Sequence, residues 1–176
     1  MKTSLLVVAC FAAIALFGCA GSAHDVNAVP PPASDSTPAQ ILQSLEAQGK
    51  LPTLDTTQTL QGTDSNGNGV RDDLDKYIAA LPDTAAQKKA LIQLAKAIQT
   101  TLTIDTTNAA ALSAASLALN RGTACIFQVY PANQPAKAYL MEELTVNTMM
   151  RLKAYELYNA ARNGTTVAME TSSVCD

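Results

Sequence analysis

The chain has 176 residues, with 12 Lys and Arg against 15 Asp and Glu and a formal net charge of −3. That length suits one domain, and the absence of a basic stripe excludes a nucleic-acid surface. Trp is absent and aromatics make up 5%, so the core must come from Ala, Leu and Met, the usual filling of packed helices.

Met1-Lys2 is a short basic start, and Leu5 to Phe17 is an apolar run of signal-peptide length. It is shorter than the roughly 20 residues a membrane-spanning helix needs. The run ends in Leu16-Phe17-Gly18-Cys19, which resembles the bacterial lipobox. The resemblance implies removal of residues 1–18 and lipidation of Cys19. Ala20, in place of Asp, implies sorting to the outer membrane, with the chain facing the periplasm. Several acyl chains on one residue anchor stably. Phe17 departs from the small or β-branched residue usual at that position, and cleavage near Ala20 or Ala23 is the competing reading. Residues 19–36, with Pro30 to Pro32, read as a tether stiffened toward polyproline II. The only histidine, His24, falls in it as a solvated residue.

The domain then spans 37–176. Thr37-Pro38 opens a short helix with Ile41, Leu42 and Leu45 on one face, ending near Gly49. Residues 51–63 are Thr-rich, hold Pro52 and Gly62, and lack a helical period.

Residues 64–75, Asp-Ser-Asn-Gly-Asn-Gly-Val-Arg-Asp-Asp-Leu-Asp, place oxygen-bearing side chains at positions 1, 3, 5, 9 and 12 of a twelve-residue window, with Gly69 at position 6. Calcium takes six to eight oxygens, and alternate residues of a curled loop converge on one centre. Position 6 must turn with positive φ, which glycine adopts at little cost. The ligand set is Asp64, Asn66, Asn68, the Val70 carbonyl, Asp72 and Asp75. Asn at positions 3 and 5 and a short Asp at position 12 point to weak affinity, on the order of 10⁻⁵–10⁻³ M, with Mg²⁺ competing. The segment resembles the loops of thrombospondin type-3 repeats and dockerins over Asp64–Asp75 alone. The resemblance implies Ca²⁺ binding but not array assembly or cohesin docking, because the loop is not repeated. Position 8 is Arg71, where paired EF-hands carry an apolar residue that joins a sister loop; Arg71 reads as a surface side chain. The competing reading is an Asn/Gly turn in which Asp72 and Asp73 cap the next helix.

Leu74, Ile78 and Leu81 mark a helix stopped by Pro82. Asp83 caps the next, from Thr84 to about Thr103, with Leu91, Leu94, Ala95, Ile98 and Leu102 inward. Thr107 or Asn108 begins an Ala-rich helix through Leu112, Ala115 and Leu119. Gly122 either ends or kinks it, and Ile126, Phe127 and Val129 continue it or form a short strand. Gln134-Pro135 opens the longest helix, about 135–162, striped by Met141, Leu144, Thr148, Leu152, Tyr155 and Tyr158 and ended by Asn163-Gly164. Met149, Met150 and the tyrosines read as core, with a ligand pocket as the competing reading. The expected fold is all-α, a small helical bundle with an irregular N-terminal segment that carries the loop.

With Cys10 in the signal and Cys19 lipidated, Cys125 and Cys175 pair most simply as a disulfide in an oxidising compartment. A redox-active pair is disfavoured by the lack of Cys-x-x-Cys spacing. No His dyad, Gly-x-Ser-x-Gly or phosphate-cradling motif occurs, and Glu142 and Glu143 point about 100° apart on a helix. The reading is therefore a non-catalytic outer-membrane lipoprotein holding Ca²⁺ in a structural role. The alternative is an envelope binding or regulatory module that presents its helices or loop to a protein partner.

Overall fold

Among the described residues six helices follow in order: α1 (Pro38–Ala47), α2 (Asp72–Ala80), α3 (Ala85–Thr101), α4 (Ala109–Val129), α5 (Gln134–Thr145) and α6 (Met149–Arg162). The computed structural model describes residues 38–49, 51–166 and 172–176. The signal segment, Cys19, the 19–36 tether with His24, and the side chains of Ile41 and Leu42 lie outside what it describes. The fold is all-α, and the described residues contain no strand.

α3 is the central helix, packing most extensively on α4 and then on α5 and α2. It buries Ala90, Leu91, Leu94, Ala95, Ile98 and, just past its end, Leu102. Its apolar residues recur at helical spacing, so one broad face is inward. Leu74 and Ile78 of α2, Ala115 and Ile126 of α4, Met141 and Leu144 of α5, and Tyr155 and Tyr158 of α6 complete the core. Val70 of the candidate metal loop is fully buried in the same cluster.

Helix starts follow local chemistry. Thr84, not Asp83, caps α3: its side chain accepts from Gln87 N while Gln87 Oε1 accepts from Thr84 N at 2.9 Å. Thr and Gln three apart make this reciprocal box. Asp83 is left to accept from Tyr130 Oη at 2.6 Å and Lys137 Nζ at 2.9 Å. Asn108 caps α4 through Ala110 N and Ala111 N.

Gly122 does not end α4, which runs on to Val129 as helix, not strand. A Cβ on Gly122 would lie 2.9 Å from Leu94 Cα and 3.3 Å from Leu94 N. The glycine is there so that two helix backbones can touch. Phe127 projects outward, 52% exposed.

The expected single helix 135–162 is two helices, broken at 146–148. Continuing α5 would require the carbonyls of Leu144 and Thr145 to accept from the amides four residues on. Instead both accept from the buried Arg71 guanidinium, at 2.9 and 2.8 Å. Thr148 then restarts the chain as N-cap of α6, accepting from Arg151 N. The break rotates the expected stripe. Tyr155 and Tyr158 stay inward, while Leu152, Met149 and Met150 are 38, 67 and 41% exposed, so the core assignment of these three is corrected.

The C-terminal residues lie against this bundle. Cys125 and Cys175 are joined by a disulfide with 5.0 Å between their Cα atoms. Val174 is buried, and Gln93 both donates to Val174 O at 2.8 Å and accepts from Asp176 N at 3.0 Å.

Candidate metal centre

Residues 64–75 form a curled loop that runs into α2. Gly67 and Gly69 have φ of 68° and 85°, left-handed turns that glycine makes without strain. They let the backbone fold round Asp64. Asp64 Oδ1 accepts from Gly67 N at 2.9 Å and Asn68 N at 3.3 Å, and Oδ2 accepts from Gly69 N at 2.9 Å. Asn66 Oδ1 accepts from Asn68 N at 2.9 Å, and Asn68 Oδ1 from Val70 N at 2.7 Å. Each short polar side chain thus turns the backbone two to five residues ahead of it.

Position 12 closes on positions 3 and 5. Asn66 Nδ2 and Asn68 Nδ2 both donate to Asp75 Oδ2, at 3.0 and 2.8 Å. The structure therefore brings Asn66, Asn68 and Asp75 into direct contact, with Asp64 bonded to the same turn. Asp72 does not join this contact. It faces Ser65, accepting from its N at 2.9 Å and its Oγ at 2.7 Å. The two Ser65 bonds hold the Asp72 carboxyl below the ordinary carboxylate range. Among the described residues no three His, Cys, Asp or Glu side chains cluster as a metal-holding group, so the candidate set depends on Asn and main-chain oxygens beside its carboxylates. That mixture of oxygens suits a hard cation. The stem of Lys96 on α3 lies over the loop, its Cε 3.1 Å from where a Gly69 Cβ would be.

Beneath the loop is a group of residues that sequence patterns did not mark as one site. Arg71 is buried, not a surface side chain. Its Nε and Nη2 grip Asp73 at 2.9 and 2.8 Å, a bidentate pair. Its Nη1 also donates to Asn147 Oδ1 at 3.2 Å. Arg151, equally buried, donates through Nη1 to Asp55 O at 2.6 Å and Asn147 Oδ1 at 2.7 Å, and through Nη2 to Asp55 Oδ1 at 3.2 Å. Asn147 returns a bond from Nδ2 to Asp55 O at 3.0 Å. Asp55 N donates to Asp73 Oδ2 at 3.0 Å, joining the two ion pairs. Arg151 Nε is buried with no partner among the described residues, which costs on the order of 1–3 kcal/mol. A Cβ on Gly62 would fall on both guanidinium side chains, so a glycine is needed where they pass.

Burial by itself would raise the Asp55 and Asp73 carboxyls. Hydrogen bonds outweigh it: Thr57, Thr63 and Arg151 hold Asp55 well below the ordinary range, and Arg71 with Asp55 N lowers Asp73. Both are carboxylates at neutral pH, each facing a guanidinium.

Asp55-Thr56-Thr57 and Asp105-Thr106-Thr107 fold into the same turn, with the Asp Oδ1 accepting from Thr57 N at 2.8 Å and from Thr107 N at 2.9 Å. Only the first also takes an arginine, and the positions of Arg151 and Asn147 in the chain gave no hint of it. No protein-family model, curated protein or solved structure matches this chain.

Proposed function

We propose that this protein is a non-catalytic, lipid-anchored protein of the bacterial outer membrane, facing the periplasm, whose domain holds one Ca²⁺ in the loop 64–75. Mg²⁺ competes for the same oxygens. The ion's role is structural: it neutralises Asp64 and Asp75 directly, with Asp72 reaching it once turned from Ser65 or through a water, and steadies the start of α2 and the Thr-rich segment beside it. The observation that carries the reading is the closure of position 12 on positions 3 and 5, with two amide groups meeting the Asp75 carboxylate. Each Asn oxygen uses one lone pair on a backbone N–H and keeps a second. A half-turn of each amide about its Cβ–Cγ bond would give up the backbone bond and bring the oxygen, in place of the nitrogen, to face a cation that the Asp75 carboxylate attracts. Lipidation rests on Leu16-Phe17-Gly18-Cys19.

Calorimetric titration of the purified protein with CaCl₂ tests the metal reading, beside an Asp64→Ala/Asp75→Ala variant. One-to-one binding in the range of about 10⁻⁵–10⁻³ M, lost in the variant, is expected; no heat in either protein refutes it. Palmitate labelling that Cys19→Ser abolishes tests the anchor.

A second reading, a module that docks a protein partner in the envelope, draws on one observation. Phe127 and Tyr139 are 52 and 66% exposed beside a cavity of about 230 Å³ walled by α4 and α5 and floored by Leu94 and Ile98 of α3. Crosslinking from Phe127 and Tyr139 positions in whole envelopes separates the two: a discrete adduct favours docking, and none favours the structural role alone.

A further inference from the structure

Both ends of the loop hang on the buried ion pairs. At its entry, Thr63 N donates to Asp55 Oδ2 at 2.8 Å, and Asp55 is held by Arg151. At its exit, Arg71 O accepts from Asp75 N at 3.0 Å, so the residue whose side chain grips Asp73 also holds the backbone of position 12. The two ends meet where Asp72 N donates to Thr63 O at 2.9 Å. Asn147 stands between the two arginines and accepts from both. In paired loops of this kind, position 8 joins a sister loop; here the position-8 side chain runs inward, takes the last carbonyls of α5 and breaks the helix there.

We infer that Arg71, Asp73, Asn147, Arg151 and Asp55 together replace the sister loop, acting as positioning residues that set the cation affinity of residues 64–75 from the α5–α6 turn. The inference rests on the cation-binding reading and adds to it the device that tunes it. None of the five need touch the ion. They act by fixing where Asp64 and Asp75 stand relative to one another, and a ligand cage held by too few outer contacts loses affinity because it must order itself on binding. Coupling between sites is reciprocal. Cation binding should therefore slow amide exchange at Thr63 and Asp55, and across the α5–α6 turn, as well as in the loop.

The test compares three proteins by calcium calorimetry at a temperature where all are folded: the unmodified chain, Asn147→Ala, and Ser116→Ala. Ser116 is buried and bonded to Tyr158 Oη at 3.1 Å, away from the loop, so its loss reports general destabilisation. Removal of outer contacts commonly weakens metal binding 10–100-fold. Asn147→Ala should weaken calcium about tenfold, while Ser116→Ala leaves the affinity unchanged. Arg71→Lys, which keeps the charge but loses the fork, should fall between and serves if Asn147→Ala does not fold. Equal affinities in the unmodified chain, Asn147→Ala and Arg71→Lys overturn the inference and leave the loop reading intact. A parallel loss in Ser116→Ala also overturns it, since the effect would then be one of stability alone. Absence of binding by the unmodified chain overturns the loop reading itself, and this inference with it.

Discussion

Arg71 shows how one side chain can decide several features at once. Its guanidinium ends α5, grips Asp73 and shares Asn147 with Arg151. A charge this buried persists only if its donors are met, and removing one member of such a pair costs about 3–5 kcal/mol. Arg151→Met should therefore destabilise the protein toward the lower end of that range in urea denaturation, because Asp55, whose side chain is 9% exposed, loses its guanidinium and keeps only the Thr57 and Thr63 bonds. The double change Arg151→Met/Asp55→Asn should recover part of the loss; a double variant no better than the single would mean that the ion pair is not the cause. The grouping of Asp64, Asn66, Asn68 and Asp75 was plain in the sequence, because spacing links them, and all four bond within one turn. The clamp was not, because Arg71 and Asn147 lie 76 residues apart and meet only after folding.

Among the helices, the starts were legible to within a residue: α3 was expected from an Asp83 cap and Thr84 is the cap, α4 from Thr107 or Asn108 and Asn108 is the cap, and α5 from Gln134-Pro135. The break at 146–148 was not, because its cause is a guanidinium from another part of the chain. Gly122 was legible as special but not in its role, since a helical glycine can mark an end, a kink or a close approach. The last applies here, and it makes a prediction. Alanine favours helix over glycine by about 1 kcal/mol, yet the added methyl would meet Leu94 backbone at 2.9 Å, and backbone cannot swing aside. Gly122→Ala should therefore lose about 1–3 kcal/mol net, measured by chemical denaturation; a gain in stability would refute the packing argument. Thr148→Ala should cost about 1 kcal/mol as a lost cap, with helicity by circular dichroism falling slightly.

Across the whole molecule, the disulfide, the carboxylate pairs and the loop act on the same bundle. Reducing Cys125–Cys175 frees a 50-residue separation, worth about 4 kcal/mol on the chain-entropy account, and should lower Tm by on the order of 10 °C. An unchanged melting curve after reduction would show that Gln93 and Val174 hold the tail unaided. Acid should also unfold the protein. Asp55 and Asp83 are held below the ordinary carboxylate range, the second by Tyr130 and Lys137 against its burial. A depressed carboxyl contributes stability that is present above its unfolded value, near 4, and is lost as pH falls through the folded value. Melting temperature should thus hold from pH 7 to about 5 and drop below 4, and Asp83→Asn should flatten the drop. The all-α class was legible from period and composition; the joining of loop, Thr-rich segment and α5–α6 turn was not, because it is built from polar residues that carry no period. The central claim, that residues 64–75 take up a divalent cation, is tested most directly by following backbone amides during calcium titration. Gly67, Asn68 and Gly69 all donate to Asp64, so their N–H resonances should shift and saturate at one equivalent, ahead of the rest of the protein. Small, uniform shifts that never saturate would contradict the account.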